Sequence, residues 1–119
     1  LAAEQSDPEG TTNLGMMYLQ GRAVRQDFAR AFELFSKAAE QDYPVAQNNL
    51  ALMYVNGQGV ARNYQWAYAW MDVAAAQIPR CAELRDKLGK EMTAREIAKA
   101  REFAARKREE IAQKGEEPK

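Results

Sequence analysis

The chain has no histidine, and that single absence removes the commonest general base and the commonest metal ligand. One cysteine, Cys81, excludes an intrachain disulfide and a thiolate zinc cluster. Without a histidine partner, Cys81 reads as a packed or half-exposed thiol rather than a nucleophile. No stretch of about 18 apolar residues is present, so no membrane-spanning helix is expected, and no secretory h-region is visible. Charge of one sign is missing too. Seventeen basic and seventeen acidic side chains cancel, leaving no long-range field towards nucleic acid or an anionic membrane. Carboxylate neighbours such as Glu109 and Glu110 fall on a highly charged stretch, with nothing to set one apart as acid and the other as base. No catalytic residue, cofactor or metal is expected.

What the sequence does have is a repetition. Asn13, Leu14, Gly15, Met16, Met17 and Tyr18 return as Asn49, Leu50, Ala51, Leu52, Met53 and Tyr54, 36 positions later. Gly21 returns as Gly57, Val24 as Val60, Phe28 as Tyr64 and Ala31 as Ala67. Leu34 and Phe35 return as Trp70 and Met71, and Ala38 and Ala39 as Ala74 and Ala75, with no gap in the alignment. A fixed period of this length is one supersecondary unit stacked on copies of itself, which favours a binding surface over a buried catalytic cleft. At 119 residues the chain is one domain's worth and can bury roughly two-thirds of its unfolded surface.

Each unit reads as two helices. Ala46, Leu50, Met53, Tyr54 and Gly57 share one face of the first, helix A. Gly57 stands where a helix end wants a positive φ, and Gly59 lets the loop turn before Val60 packs back. Asn63 is an N-cap for the second helix, helix B, as Asp27 is one unit earlier. Tyr64, Ala67, Trp70, Met71, Ala74 and Ala75 form the apolar face of helix B, the alanines allowing close approach. Pro8 (behind Asp7 as cap) and Pro44 suit the first turn of helix A, where a missing N–H costs nothing.

The period extends outward. Residues 1–6 read as the end of a preceding repeat helix, because Leu1 to Gln5 match Lys37 to Gln41; the opening Leu1 puts the natural N-terminus upstream. Residues 7–42 are the first repeat and 43–78 the second. In 79–92, a degenerate repeat helix, Ala82 keeps the register of Ala46 while Asp86 stands where Leu50 should be. Thr93 and Glu96 form a capping box that opens a C-terminal capping helix over 93–114. Its thin stripe (Ile97, Ala100, Phe103, Ala104, Lys107, Ile111) runs along an otherwise charged helix, and a polar terminal unit is what a solenoid needs for solubility. Gly115 ends that helix, and 115–119 read as a disordered tail.

The pattern Asn-Leu-Gly-x-x-Tyr-x-x-Gly-x-x-Val, followed by Asp or Asn, an apolar residue and spaced alanines, resembles the Sel-one-like repeat (SLR), a tetratricopeptide-related hairpin. It runs here from Asn13 to Ala39 and from Asn49 to Ala75, and the tail around Arg85 to Ala100 resembles the C-terminal cap of bacterial members. The resemblance implies an all-α, right-handed α-solenoid that serves as a scaffold or adaptor, in bacteria often in the periplasm or cell envelope. A subgroup linked to β-lactams carries a cysteine pair in each repeat, and this chain lacks it. Two positions depart from the pattern. Ala23 replaces the second loop glycine, which predicts strain, and Ala51 replaces the helix-A glycine, which predicts a slightly wider hairpin.

By analogy with tetratricopeptide-like solenoids, the concave face is formed by helix-A residues between the core positions: Thr12, Met16, Leu19 and Gln20, then Asn48, Leu52, Val55 and Asn56, with Arg85 from the third unit. Amides beside adaptable apolar side chains suit an extended peptide or a partner helix. Met16 and Leu52 also have a plain reading as packing residues. Asn13 and Asn49 read as caps on loops, and Trp66 as packing under the helix that starts near Arg80, with an exposed hot spot as its alternative. Arg101, Arg106, Lys107 and Arg108, interspersed with glutamates, read as a solvated face. The partner expected is thus a protein or peptide, with no nucleic acid and no membrane insertion. Two alternatives stay open: a cell-envelope glycan or β-lactam binder or enzyme, and a homodimer formed through apolar surface near Leu14, Tyr18 and Phe28.

Overall fold

The computed structural model describes residues 7–116, and the expected helix end at 1–6 lies outside them. Six helices make up the described chain: α1 Pro8–Gln20, α2 Phe28–Ala39, α3 Pro44–Asn56, α4 Tyr64–Ala75, α5 Pro79–Gly89 and α6 Ala94–Glu116. Helices α1 and α2 form one antiparallel hairpin, α3 and α4 the next, and α2 packs on α3 between them. No strand occurs among the described residues. The fold is an all-α solenoid of helical hairpins.

Local chemistry sets the helix ends. Asp7, Asp27 and Asn63 each accept a backbone N–H with the side chain, from Glu9, Arg30 and Trp66. Pro8, Pro44 and Pro79 all occupy the first turn of an A helix. Gly21 and Gly57 close α1 and α3 at φ +67°. At α6, the Thr93 N–H donates to Glu96 Oε1 at 2.8 Å and the Glu96 N–H to Thr93 Oγ1 at 3.1 Å, a complete capping box. The helix continues through Gly115 to Glu116 instead of stopping at Lys114; the remaining tail, 117–119, lies outside the described residues.

The third unit enters one residue earlier than the 36-residue period requires. Pro79, not Arg80, takes the place of Pro44, so Cys81 fills the buried position of Ala46 and Leu88 that of Met53. Ala82 therefore does not keep the register of Ala46. The turn between α2 and α3 holds Glu40 to Tyr43, whereas that between α4 and α5 holds only Ala76 to Ile78. The residue without a counterpart is Asp42, which stands at φ +63°.

The core is continuous from Ala31 and Phe35 through Leu50, Met53 and Trp70 to Ala100 and Ala104. Its middle is α4, which packs against α3, α5 and α6. Tyr68, Ala69 and Val73 are buried along with the expected face of Ala67, Trp70, Met71 and Ala74. Those extra positions correspond to Phe32, Glu33 and Lys37 of α2, where Glu33 and Lys37 are exposed. Between repeats, a solvent face has become an apolar seat for α6. Close approach matters in the first hairpin as well: a Cβ on Gly15 would lie 2.7 Å from Phe35 Cε1. The second hairpin carries Ala51 with Met71 at the register of Phe35, both buried.

Candidate functional site

The A helices adjoin through two side-chain contacts. Asn49 Nδ2 lies 3.5 Å from Met16 Sδ, tying α3 to α1, and the Cys81 thiol donates to Asn48 Oδ1 at 3.6 Å, tying α3 to α5. Asn49 is thus a mid-helix bridge between repeats and not a loop cap; Asn13 is likewise mid-helix, and exposed. Burial pushes the Cys81 thiol up, with the Arg80 charge working the other way, so it stays protonated and fit for this donor role.

On α3, Val45, Asn49, Leu52 and Asn56 follow at the spacing of one helix face. Val45 and Leu52 are 44% and 38% exposed, large apolar side chains open to solvent two turns apart. Val45 escaped the sequence reading, which saw only the start of a helix there. Its signal was comparative: the first repeat has the charged Glu9 at that register. On α1 the same face carries Glu9, Asn13, Met16 and Gln20; on α5 it carries the exposed Arg80 and Lys87, with the exposed Glu91 in the turn that follows.

The nine expected residues separate into groups. Gln20, Leu52 and Asn56 are exposed, and Met16 and Asn48 are half-buried between neighbouring A helices. Leu19 and Val55 are half-buried and pack against the core. Two are placed elsewhere. Thr12 is buried, its hydroxyl donating to the Pro8 carbonyl at 2.7 Å. Arg85 turns away to Asp72 on α4, at 2.6 Å, and to Asp86 at 3.0 Å. The helical wheel was right for α1, but the short Thr12 side chain returns to its own backbone instead of reaching out. Arg85 moved because the register shift places it at the Leu50 position, facing α4.

The basic run on α6 is an anchor as well as a solvated face. Lys107 Nζ pairs with Glu40 on α2 at 2.7 Å and with Glu110 at 3.1 Å, and Arg108 pairs with Asp72 at 2.9 Å. Burial pushes the Asp72 carboxyl up, but hydrogen bonds and charges from Arg108 and Arg85 outweigh it and hold the group below its ordinary value. Burial likewise disfavours the Lys107 charge, and Glu40 and Glu110 reverse the balance, raising it. Trp66 does not sit under α5. It stacks on Phe103 of α6 at 4.7 Å and on Tyr54 at 6.5 Å, with Phe32 edge-on to Tyr54 at 5.5 Å. Among the described residues no group of His, Cys, Asp and Glu could hold a metal ion.

A stack of antiparallel helical hairpins is the architecture of a helical-repeat protein. The Sel1 repeat signature matches residues 8–43 and 44–78. The chain belongs to the Sel1 repeat family, whose repeats are typically protein-protein interaction modules and generally not catalytic. Two solved structures are similar. One is c5321, a protective antigen present in uropathogenic Escherichia coli strains and displaying an SLR fold, at 33% identity over 95% of this chain with a TM-score of 0.90. The other is a Sel1 repeat protein from Oxalobacter formigenes, at 36% identity over 72% of this chain and a TM-score of 0.69. The chain spans 25% of the length of c5321 and 65% of the Oxalobacter protein. No curated protein matches it in sequence.

Proposed function

We propose that this segment is a binding module that holds a peptide or protein segment on its A-helix face, centred on α3. The observation that carries the reading is the pairing of Val45 and Leu52 on one helix face, both open to solvent, between amides that are only partly used. Asn48 accepts from Cys81 and its own N–H₂ group has no partner among the described residues. Apolar anchors set among amide donors and acceptors suit a ligand that offers backbone groups and alternating side chains. The flanking Arg80 and Lys87 of α5, and Glu91 in the turn after it, add charge of both signs at one border, which would orient a partner more than tighten it. Action by binding rather than chemistry is supported by the lack of histidine and by a thiol that is buried and donates to Asn48.

The test is affinity capture from soluble and envelope extracts of the source organism, comparing the natural chain with Asn48→Asp/Leu52→Glu. Asp keeps the acceptor for Cys81, and position 52 is on the surface, so circular dichroism of the double variant should match. A protein retained by the natural chain and lost with the folded variant supports the reading. Equal retention by both places the binding surface elsewhere.

A further inference from the structure

We propose a second docking site, separate from the A-helix face: the cleft under the last turns of α6 takes a peptide segment with a large apolar side chain next to a lysine or arginine. The cleft arises from a difference in length. Helix α4 ends at Ala75 while the neighbouring α6 runs on to Glu116, so the end of α6 overhangs the turn between α2 and α3. Val73 and Ala76 lie on one side of the opening and Ile111 and Ala112 on the other, around a volume of about 290 Å³. It adjoins a larger trough of about 510 Å³ along Glu40 to Asp42 and Lys114. A cavity of about 150 Å³ accepts benzene, so the opening admits a phenyl ring or a branched aliphatic side chain with its stem.

Charge selects the rest of the ligand. Arg108, which also lines the opening, is occupied by Asp72 at 2.9 Å. Glu40 is occupied by Lys107 at 2.7 Å, with Lys114 at 4.0 Å. The carboxylate of Asp42 is exposed, and no lysine or arginine lies within ion-pairing distance of it among the described residues. Two neutral carboxamides fix its direction: Gln47 Nε2 and Gln77 Nε2 donate to Oδ1 at 3.3 and 3.2 Å, and Gln77 also donates to the Asp42 carbonyl at 3.3 Å. Asp42 is also the residue by which this turn exceeds the turn between α4 and α5, so stacking one repeat on the next does not require it. The rim therefore keeps one oriented, uncompensated negative charge beside an apolar opening. A basic-apolar segment satisfies both, whereas an acidic one meets repulsion and a purely apolar one strips water from the carboxylate.

The experiment is a nitrogen-15 NMR titration of the whole chain with the blocked peptide acetyl-Gly-Phe-Arg-Gly-amide, and with matched Phe-Glu and Ala-Arg peptides. The Phe-Arg peptide should give saturable shifts at the amides of Asp42, Gln77 and Ala112, with both controls about fivefold weaker or worse. Asp42→Asn keeps the shape, the carboxamide contacts and tolerance of a positive φ. It should weaken the Phe-Arg peptide about fivefold and abolish its preference over Phe-Glu. Absence of saturable shifts at these amides, or equal affinity for Asp42→Asn, overturns the proposal. Leu52→Glu should leave this titration unchanged, so failure here and failure of the A-helix reading are separable.

Discussion

Ala23 and Gly59 occupy the same place in successive repeats and both adopt a left-handed backbone, at φ +66° and +71°. Ala23 is exposed, so its cost is conformational, about 1 kcal/mol or more for an L-residue there. Ala23→Gly should raise stability by roughly 0.5–1 kcal/mol once the added freedom of the unfolded chain is subtracted, seen as a melting temperature higher by a few degrees. Gly59→Ala is a different matter, because its Cβ would lie 2.4 Å from the Phe28 carbonyl oxygen. It should destabilise by about 2 kcal/mol or more. Gly15→Ala should cost about 1–3 kcal/mol, because the new methyl meets the Phe35 ring. Adding Phe35→Met, the pairing that the second repeat already uses, should recover at least half of that in a double-mutant cycle. The exchange of Gly and Phe for Ala and Met was legible by eye in the repeat alignment. Its meaning as a single paired event needed the distance.

At the scale of elements, α6 is seated by small residues and held by ions. Ala100 and Ala104 are fully buried, and Asp72, with 16% of its side chain exposed, receives both Arg85 and Arg108. Asp72→Asn leaves Arg108 without its charge partner and Arg85 with Asp86 alone, and should cost about 1–3 kcal/mol. The loss should register as a change in fluorescence, since Trp66 stacks on Phe103 and Trp70 lies under Lys107. Because the folded Asp72 carboxyl lies below its ordinary value of 3.8, its contribution is complete above that value and is lost as pH falls through the depressed one. Lys107 lies above its ordinary 10.5, so its contribution is complete below that value and is lost as pH rises through the raised one. The fluorescence of the docked helix should therefore hold across neutral pH and change at both extremes. Sequence periodicity had found the helix, its cap and its stripe. Ion pairs from Lys107 to Glu40, across many intervening residues, follow no local pattern.

For the whole molecule, α6 makes the second repeat an interior unit. Truncation after Lys90 would uncover Tyr68, Ala69 and Val73 on α4 together with Trp66, and light scattering should then show self-association or precipitation where the natural chain shows less. The signal for this seat was in the chain: Arg30, Glu33 and Lys37 of the first repeat become Trp66, Ala69 and Val73 in the second, a polar face turned apolar where the repetition ends.

The sequence by itself determined the hairpins, their caps and their period, because these depend on contacts within about one helical turn and on a pattern that is repeated. It also pointed to the A-helix face, where Leu52, Asn48 and Asn56 needed only the helical wheel. The tertiary structure alone decided that Thr12 bonds back to its own helix, that Arg85 belongs to Asp72, and that the Asp42 carboxylate, held by Gln47 and Gln77, stands at the rim of a cleft. A one-residue shortening between α4 and α5 moves each position of α5 by one place, about 100° on the helical wheel, relative to the 36-residue period. Neighbours brought together by such a rotation are set by packing in three dimensions and leave no spacing to read.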